Sequence, residues 1–166
     1  VINSLYTLAV GYPPRSKFFR EELINLFYLC REQDLSISEI KGSYAGAMGA
    51  PQFIASSYRA YAVDGDGDGK INLFESWEDI LMSIGHYLKK NGWEESKNII
   101  TKIQIDHKQM QQLASKTVTP KSTVADLIAS GIQLNPLLGL TEKAQVVYLE
   151  GLKDSEEAVI GLHNFY

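Results

Sequence analysis

A glycine-rich run with alternating carboxylates occupies residues 64–75, which read Asp-Gly-Asp-Gly-Asp-Gly-Lys-Ile-Asn-Leu-Phe-Glu. Asp64, Asp66 and Asp68 stand at the first, third and fifth positions of an EF-hand-type loop, and Lys70 at the seventh can offer its backbone carbonyl. The glycines allow the backbone to wrap around an ion. Ca²⁺ takes about six to eight oxygen ligands, whereas Mg²⁺ demands a tighter octahedron and dehydrates reluctantly. The spacing therefore predicts a calcium site.

The spacing does not determine which residue provides the last ligand of this site. A standard loop ends with a carboxylate at its twelfth position, which is Glu75. A loop a few residues longer would use Glu78 or Asp79, which precede an apolar run. A carboxylate at residue 78 or 79 would also stabilise the N-terminus of the following helix, because the helix dipole is positive there. The alternative to a metal site is a solvated Asp/Gly turn.

A second motif, residues 42–58, combines small residues with hydroxyl groups and one amide, that of Gln52. Little side-chain bulk allows another group to approach the backbone closely. Saccharides suit such a surface, because they present hydroxyl and N-acetyl groups to directional donors and acceptors. The alternative is tight helix packing through the small residues.

The elements that must position these motifs follow from periodicity and from turn residues. The first 93 residues are predicted to be mainly helical, whereas β-branched runs appear only later. The predicted helices cover residues 2–9, 15–33 and 78–91, with a short one capped within 122–126 and ended by Gly131. The predicted strands cover residues 99–105, 146–149 and 158–161.

Composition bounds the class of protein. A chain of 166 residues with a net charge of −4 and 45% hydrophobic residues is long enough for a globular core. No cluster of lysine and arginine indicates nucleic-acid binding. The sequence shows neither a membrane-spanning apolar stretch nor a signal peptide. The single cysteine, Cys30, excludes an internal disulfide and is predicted to be a small core residue.

The two motifs occur in one order with Tyr-Ala-Val-Asp at residues 61–64 and Tyr-Leu-Lys-Lys-Asn-Gly-Trp at residues 87–93. In this arrangement the chain closely resembles the membrane-bound lytic murein transglycosylase B family from about Tyr12 to Trp93, and more weakly to residues 161–166. The resemblance implies an α+β, mainly α fold, with a lysozyme-like helical core, an EF-hand-like loop and a small β-containing insert.

The resemblance also implies a domain organisation. Residues 1–93 would form part of the lysozyme-like catalytic core, with the calcium loop at 64–79. Residues 94–162 would form the small α+β insert, and residues 163–166 would return to the core.

The activity implied is non-hydrolytic cleavage of the β-1,4 bond between N-acetylmuramic acid and N-acetylglucosamine in peptidoglycan. The muramyl 6-hydroxyl is the internal nucleophile, and a 1,6-anhydro product forms. One glutamate acts first as acid and then as base, unlike the carboxylate pair of ordinary glycosidases. The implied partner is the peptidoglycan glycan strand. The implied location is the periplasm, where the protein would be either free or anchored to the outer membrane as a lipoprotein. The implied oligomeric state is a monomer.

No residue of this chain matches the family's catalytic glutamate, which is expected upstream of Val1. Glu21 and Glu22 lie beside the apolar stripe of their helix and are predicted to be solvated. Glu39 precedes the glycine-rich motif but does not match the catalytic position. We therefore expect the chain to be the central piece of such an enzyme and to be inactive alone.

The other functional residues are carried over by the resemblance. Ser43 and Gln52 match positions that hydrogen-bond saccharide or support the acid. Arg15 matches a basic residue near the cleft, although an ordinary surface arginine is the alternative. Phe18 stands where relatives often carry a tyrosine, and Tyr166 matches a tyrosine near the cleft floor.

The metal ligands are also carried over by the resemblance, and the calcium they bind is expected to be structural. The matching residues are Asp64, Asp66, Asp68, the carbonyl of Lys70, and Asp79. Two readings from other classes remain: a calcium-binding interaction module, and a peptidoglycan-binding domain without catalysis. A single acidic loop argues against a calcium sensor.

Overall fold

A computed structural model describes residues 1–105, 109, 112–113, 119–134, 138–150 and 156–166. The chain divides into two compact units, Val1–Asn91 and Gly92–Tyr166. Residues 163–166 are grouped with the second unit, where the Asn164 side chain donates hydrogen bonds to the carbonyls of Glu94 and Lys97. The domain organisation implied by the family resemblance, with residues 163–166 returning to the helical core, stays a prediction.

The first unit contains four α-helices. They are α1 (Ile2–Gly11), α2 (Ser16–Glu32), α3 (Ala55–Tyr61) and α4 (Trp77–Lys90). A 3₁₀ turn at Pro13–Arg15 separates α1 from α2, because proline lacks an N–H and fits the first positions of a helical turn. The helices predicted from periodicity are confirmed as α1, α2 and α4.

The core of the first unit is built around a buried stripe on α2, formed by Phe19, Leu26 and Leu29. The helical spacing of the apolar residues within 15–33 also predicts Phe27 on this stripe, but its side chain is 54% exposed, so that prediction is wrong. Cys30 packs against the core while only partly buried, and burial raises the pKa of its thiol. Other elements supply the remaining buried apolar residues, which are Leu5, Ala9, Ile40, Met48, Phe53, Ala55, Tyr58, Leu73 and Ile80.

The described residues of the second unit form a four-stranded antiparallel sheet with the strand order β1-β4-β3-β2. In the central pair, Val146 lies opposite Ile160 and Val147 lies opposite Val159. The predicted strands are confirmed, although the first is shorter than expected because only three of its residues pair with β4. The strands are β1 (Ile100–Lys102), β2 (Ser122–Thr123), β3 (Lys143–Glu150) and β4 (Glu156–Gly161).

One short helix, α5 (Val124–Ala129), follows β2, and a 3₁₀ turn spans His163–Phe165. The start of α5 is fixed by a capping box, in which the Thr123 hydroxyl accepts from the Asp126 backbone N–H and the Asp126 carboxylate accepts from the Thr123 N–H. This confirms the predicted cap. Within the described ranges, no helix has the length and apolar character needed to cross a membrane.

Candidate functional site

The acidic loop brings three carboxylates together. One oxygen from each of Asp64, Asp66 and Asp79 lies within 4.8 Å of the others. Asp79 is 1% exposed, whereas Asp64 and Asp66 are exposed. Such a group of hard oxygen donors, open on one side and anchored by a buried carboxylate on the other, could hold a divalent cation.

Backbone hydrogen bonds shape the exposed part of this loop. The Asp64 carboxylate accepts from the N–H groups of Gly67 at 2.6 Å and Gly69 at 2.8 Å. The Asp66 carboxylate accepts from the Asp68 N–H at 3.0 Å. Gly67 and Gly69 have φ of 78° and 86°, a conformation that glycine adopts without steric cost. The alternating Asp and Gly residues therefore form a closed turn with its carboxylates facing backbone donors.

Asp79 lies in the first turn of α4 and connects both ends of the loop. Its carboxylate accepts from the N–H of Gly65 at 2.7 Å and from the N–H of Asn72 at 2.6 Å. Burial acts to raise the pKa of Asp79, but hydrogen bonds from the backbone of Asn72, Gly65 and Asp66 and from the Ser76 side chain outweigh it and lower the pKa. The carboxylate is therefore held in its ionised form, as a metal ligand must be.

The group of three carboxylates contains some, but not all, of the metal ligands expected from the sequence. Asp64, Asp66 and Asp79 come together, and the carboxylate group defined by the described residues includes neither Glu75 nor Glu78. Asp68 also lies outside this group, and its carboxylate accepts from the Lys70 N–H at 2.8 Å. Of the three candidates for the last ligand, Asp79 is thus the one whose carboxylate lies with those of Asp64 and Asp66.

Ser43 organises a tight turn at the start of the second motif. Its hydroxyl oxygen accepts from the N–H groups of Ala45 at 3.2 Å and Ala47 at 3.1 Å, and its own N–H donates to the Ala47 carbonyl. In the described part of the chain, the hydroxyl proton has no acceptor. Tyr44, at the tip of this turn, is 88% exposed.

Gln52 lies in the same loop and has an unusual backbone conformation. Its φ is 55°, a region that residues other than glycine seldom occupy. Its backbone N–H and its Nε2 both donate to the Gly49 carbonyl, at 3.2 and 2.9 Å. The side chain is exposed, and its amide oxygen is left as an acceptor. Hydrogen bonds between Met48 and Phe53 close the loop around it.

The close approach predicted at the glycines of this motif is made by the protein's own chain. A Cβ at Gly46 would collide with the Leu5 side chain, and one at Gly49 would collide with the Leu73 carbonyl. The segment around them consists of turns and bridges, so the alternative of helix-to-helix packing is wrong in its details. The glycines therefore explain how the loop packs against the rest of the first unit.

Arg15 and Phe18 contact each other beside the start of α2. The Arg15 guanidinium lies 4.2 Å from the centre of the Phe18 ring and 5.2 Å from that of Phe19. The two phenylalanine rings meet edge to face at 5.1 Å. The exposed arginine is therefore oriented by aromatic rings, in a cation–π arrangement.

Tyr166 belongs to the second unit. Its hydroxyl donates to the Gly161 carbonyl at 3.4 Å, and its ring packs edge to face on Phe165. Burial raises the pKa of Tyr166 to about 12. The phenol is therefore a neutral hydrogen-bonding group throughout the physiological range.

The position of the Glu22 side chain differs from its prediction. It is predicted to be solvated, but it is 4% exposed, and its Oε2 accepts from the Ser56 N–H of α3 at 3.0 Å. The helical spacing indicates this burial, because residue 22 falls between Phe19 and Leu26 on the buried stripe. Glu21 is exposed, as predicted, and so is Glu39.

Two further residues of the site were missed by sequence reasoning. Ser76 caps α4 and contacts the Asp66 carboxylate, and the spacing Ser-x-x-Asp with Asp79 is a recognisable cap signature. The buried Tyr58 hydroxyl donates to the Ile71 carbonyl at 2.8 Å and accepts from the Leu73 N–H at 3.3 Å. No local pattern indicates that contact.

Comparison with known families identifies relatives of the whole chain. The family described as transglycosylase SLT domain matches residues 1–166. The chain belongs to the transglycosylase SLT domain family. This SLT domain is 33% identical to membrane-bound lytic murein transglycosylase B of Escherichia coli (strain K12), over 100% of this chain and 44% of that protein. The family resemblance inferred from the motifs is therefore confirmed.

Solved structures of relatives share the fold of this SLT domain. The catenated lytic transglycosylase SltB1 from Pseudomonas aeruginosa matches with a TM-score of 0.88 and 38% identity, over 98% of this chain and 53% of that one. Escherichia coli Slt35, solved in complex with calcium, matches with a TM-score of 0.79 and 32% identity, over 98% and 50%. The predicted fold class, α+β and mainly helical, is confirmed.

A third relative was solved with a cell-wall fragment. SltB3 from Pseudomonas aeruginosa, in complex with NAG-anhNAM-pentapeptide, matches with a TM-score of 0.75 and 32% identity, over 99% of this chain and 44% of that one. Relatives of this SLT domain thus bind peptidoglycan fragments. The chain spans about half the length of the relatives it matches.

Proposed function

We propose that this chain is part of a lytic murein transglycosylase, which cleaves the β-1,4 bond between N-acetylmuramic acid and N-acetylglucosamine and leaves a 1,6-anhydromuramyl end. The observation that supports this proposal is the 33% identity with a membrane-bound lytic murein transglycosylase over all 166 residues, the same residues that the family match covers. The substrate is then the peptidoglycan glycan strand.

Ser43 and Gln52 are the groups we assign to saccharide binding. The Ser43 oxygen already accepts two backbone hydrogen bonds, so its hydroxyl is oriented to donate. The amide nitrogen of the Gln52 side chain donates a hydrogen bond to the Gly49 carbonyl, so the amide oxygen can accept one from a sugar hydroxyl or an N-acetyl N–H. The two residues therefore offer one donor and one acceptor. We assign Arg15 and Phe18 to the wall of the same cleft, whereas a role for Tyr166, which belongs to the second unit, stays a prediction.

The catalytic acid is not assigned to any glutamate of this chain. The buried Glu22 carboxylate accepts a hydrogen bond from the N-terminus of α3, and Glu21 is exposed, whereas a general acid must lie within hydrogen-bond reach of the substrate in a cleft. Exposed Glu39 does not match the catalytic position. The assignment of the acid to a glutamate upstream of Val1 stays a prediction. The substrate's own 6-hydroxyl, as a tethered nucleophile, removes much of the entropic barrier.

The test is digestion of purified peptidoglycan, followed by mass spectrometry of the released fragments. We expect 1,6-anhydro muropeptides from a form extended upstream through the expected glutamate, and none from the 166-residue chain alone. If neither form releases them while both bind the glycan, the protein is a wall-binding module. Cleavage by the short chain would disprove the placement of the acid, and Glu39 would be substituted first.

We also propose that the acidic loop binds Ca²⁺ as a structural ion. The support is the donor set: three carboxylates with oxygens within 4.8 Å, one of them buried and held ionised. Asp64, Asp66 and Asp79 would hold the ion, with Asp68 and the Lys70 carbonyl as further oxygen donors. Calcium would neutralise the clustered negative charge and fix the loop to α4.

The proposed substrate also determines location. A peptidoglycan-cleaving enzyme works in the periplasm, and the relative from Escherichia coli is described as membrane-bound. Attachment of this protein to the outer membrane and its monomeric state remain predictions. Cell fractionation with an antibody against residues 1–166, together with size-exclusion chromatography, tests both.

A further inference from the structure

Residues 71–73, called here the 71–73 segment, connect the acidic loop to the turn that carries Gln52. The Asn72 N–H donates to the Asp79 carboxylate at 2.6 Å. One residue further along, the Leu73 carbonyl accepts from the Ala50 N–H at 3.0 Å. A carboxylate of the metal group and the Gln52 turn are therefore bonded to consecutive residues of one segment.

The Gln52 side chain is one hydrogen bond away from this contact. Gly49, the neighbour of Ala50, offers its carbonyl to the backbone N–H and to the Nε2 of Gln52, at 3.2 and 2.9 Å. Gly49 also lies directly against the buried Leu73, since a Cβ on this glycine would collide with the Leu73 carbonyl. The amide oxygen that we assign to saccharide binding is therefore positioned by backbone that rests on residue 73.

The 71–73 segment is also held from the side of α3. The Tyr58 hydroxyl donates to the Ile71 carbonyl at 2.8 Å and accepts from the Leu73 N–H at 3.3 Å, and the Ser76 N–H donates to the Asn72 carbonyl. With the two bonds described above, every backbone N–H and carbonyl from the Ile71 carbonyl to the Leu73 carbonyl has a partner. These bonds hold the segment as a unit, because an unpaired buried backbone group is costly.

Asp79 differs from the other carboxylates of the metal group in what it holds. Asp64 and Asp66 accept from the backbone N–H groups of residues 67–69, within the exposed loop. Asp79 is buried and accepts from the 71–73 segment. The three carboxylates have oxygens within 4.8 Å of one another, so their like charges oppose this arrangement and a cation among them would favour it.

We propose that Asp79 is a positioning residue for saccharide binding: with Ca²⁺ bound, its carboxylate fixes the 71–73 segment, and the segment fixes Gln52 for the sugar. The inference rests on the saccharide and calcium assignments made above. Coupling between two ligands is reciprocal, so a saccharide at Gln52 raises the affinity for Ca²⁺ by the factor by which Ca²⁺ raises the affinity for the saccharide.

Amide hydrogen exchange measures this coupling without any saccharide. The ¹⁵N-labelled 166-residue chain is compared in saturating CaCl₂ and in EDTA. We expect Ca²⁺ to slow exchange at Asn72 and Ala50 at least about fivefold. The Leu35 N–H, which donates to the Cys30 carbonyl outside the segment and the turn, is the reference and should change less than about twofold. Equal slowing of all three amides would mean general stabilisation and would overturn the proposal, as would no slowing.

Two ligand substitutions separate positioning from ion binding. Asp79→Asn and Asp66→Asn both remove a carboxylate of the metal group, but of the two residues only Asp79 accepts from the Asn72 N–H. In EDTA, Asp79→Asn should speed exchange at Ala50 at least about fivefold, because an amide has one oxygen where the carboxylate uses two, on Gly65 and Asn72. Asp66→Asn should leave this rate within about twofold of the native rate.

Equal exchange rates in these two variants would overturn the role of Asp79. Tyr58→Phe keeps the test valid if Asp79→Asn does not fold. It removes the hydroxyl that holds Ile71 and Leu73 but touches none of the three carboxylates, so it should speed exchange at Ala50 both in Ca²⁺ and in EDTA. An unchanged rate in Tyr58→Phe would show that the turn does not rest on the segment.

The saccharide probe is tri-N-acetylchitotriose, titrated by isothermal calorimetry. We expect it to bind at least about fivefold more tightly in Ca²⁺ than in EDTA, and to lower the Kd of Ca²⁺ by the same factor. Equal affinity with and without the ion overturns the coupling but leaves the saccharide assignment standing. Binding in neither state overturns the saccharide assignment and the coupling to a sugar with it, even where the exchange rates show that Asp79 fixes the turn.

Discussion

The Glu22 carboxylate on α2 lies 3.0 Å from the Ser56 backbone nitrogen at the start of α3. The N-cap residue of α3, Ile54, offers no side-chain acceptor, so Glu22, which lies 34 positions before Ser56 in the chain, performs the capping. The negative charge also complements the positive end of the helix. This contact fixes the start of α3 three residues after Gln52.

Replacing Glu22 should therefore destabilise the first unit. Glu22→Ala leaves the Ser56 N–H without its acceptor and a void in the core, and we expect a loss of about 1–3 kcal/mol in the free energy of unfolding. The measurement is urea unfolding followed by far-ultraviolet circular dichroism. Glu21→Ala, at an exposed neighbour, should change it by less than about 0.5 kcal/mol. Equal effects of the two substitutions would show that the cap is not stabilising.

Tyr58 should matter through its hydroxyl alone. Tyr58→Phe keeps the ring but removes the donor to the Ile71 carbonyl and the acceptor for the Leu73 N–H. Because residue 73 is buried, its N–H would stay unpaired, and we expect a loss of about 1–3 kcal/mol in the same assay. Tyr6→Phe, at a side chain that is 62% exposed, is the matched control. An unchanged midpoint for Tyr58→Phe would contradict this role.

Calcium should stabilise the first unit through Asp79. At a free concentration one hundred times its Kd, an ion that binds only the folded chain adds about 2.7 kcal/mol, so the melting temperature should rise in CaCl₂ relative to EDTA. Asp79→Asn should abolish that rise. Glu75→Gln should preserve it, because Glu75 lies outside the carboxylate group. Calcium-induced stabilisation that survives in Asp79→Asn but vanishes in Glu75→Gln would identify Glu75 as the closing ligand.

The pKa of Tyr166 gives a pH dependence of defined sign. Burial raises this pKa from the ordinary value of 10.0 to about 12. The folded chain therefore keeps a proton that the unfolded chain releases, so the stabilising contribution is complete below pH 10 and is lost as the pH rises towards 12.

The corresponding measurement is chemical unfolding between about pH 9 and pH 11.5, compared with Tyr166→Phe. The variant should lose less stability over this range, because it has no such proton to release. A difference absorbance titration at 295 nm checks the assignment. If the variant and the native chain lose stability in parallel, the phenol is not protected in the folded state.

The sequence predicted elements wherever local periodicity and caps agree. The long amphipathic helix α2, the cap of α5 at Thr123 and the β-branched strands are all found where the pattern places them. The acidic loop could also be predicted, because the spacing of its carboxylates is a local feature of the sequence. These features depend on contacts between residues that are near one another in the chain.

The missed features depend on contacts between distant residues. Glu22 looked solvated because a carboxylate is seldom buried, and only the N-terminus of α3 explains its burial. The glycine at 46 looked like a place for a ligand, yet Leu5 of α1 occupies the space. Periodicity also misplaced Phe27, because it gives the direction of a helix face only within about one residue.

The left-handed backbone at Gln52 has a consequence for how selection acts on this loop. Outside glycine, this conformation costs on the order of 1 kcal/mol, so folding alone would favour glycine at position 52. A substitution to glycine would relax the backbone while deleting the amide that the loop presents. Variants selected only for thermal tolerance should therefore accumulate glycine at residue 52, and variants selected for the saccharide binding that we propose should retain glutamine.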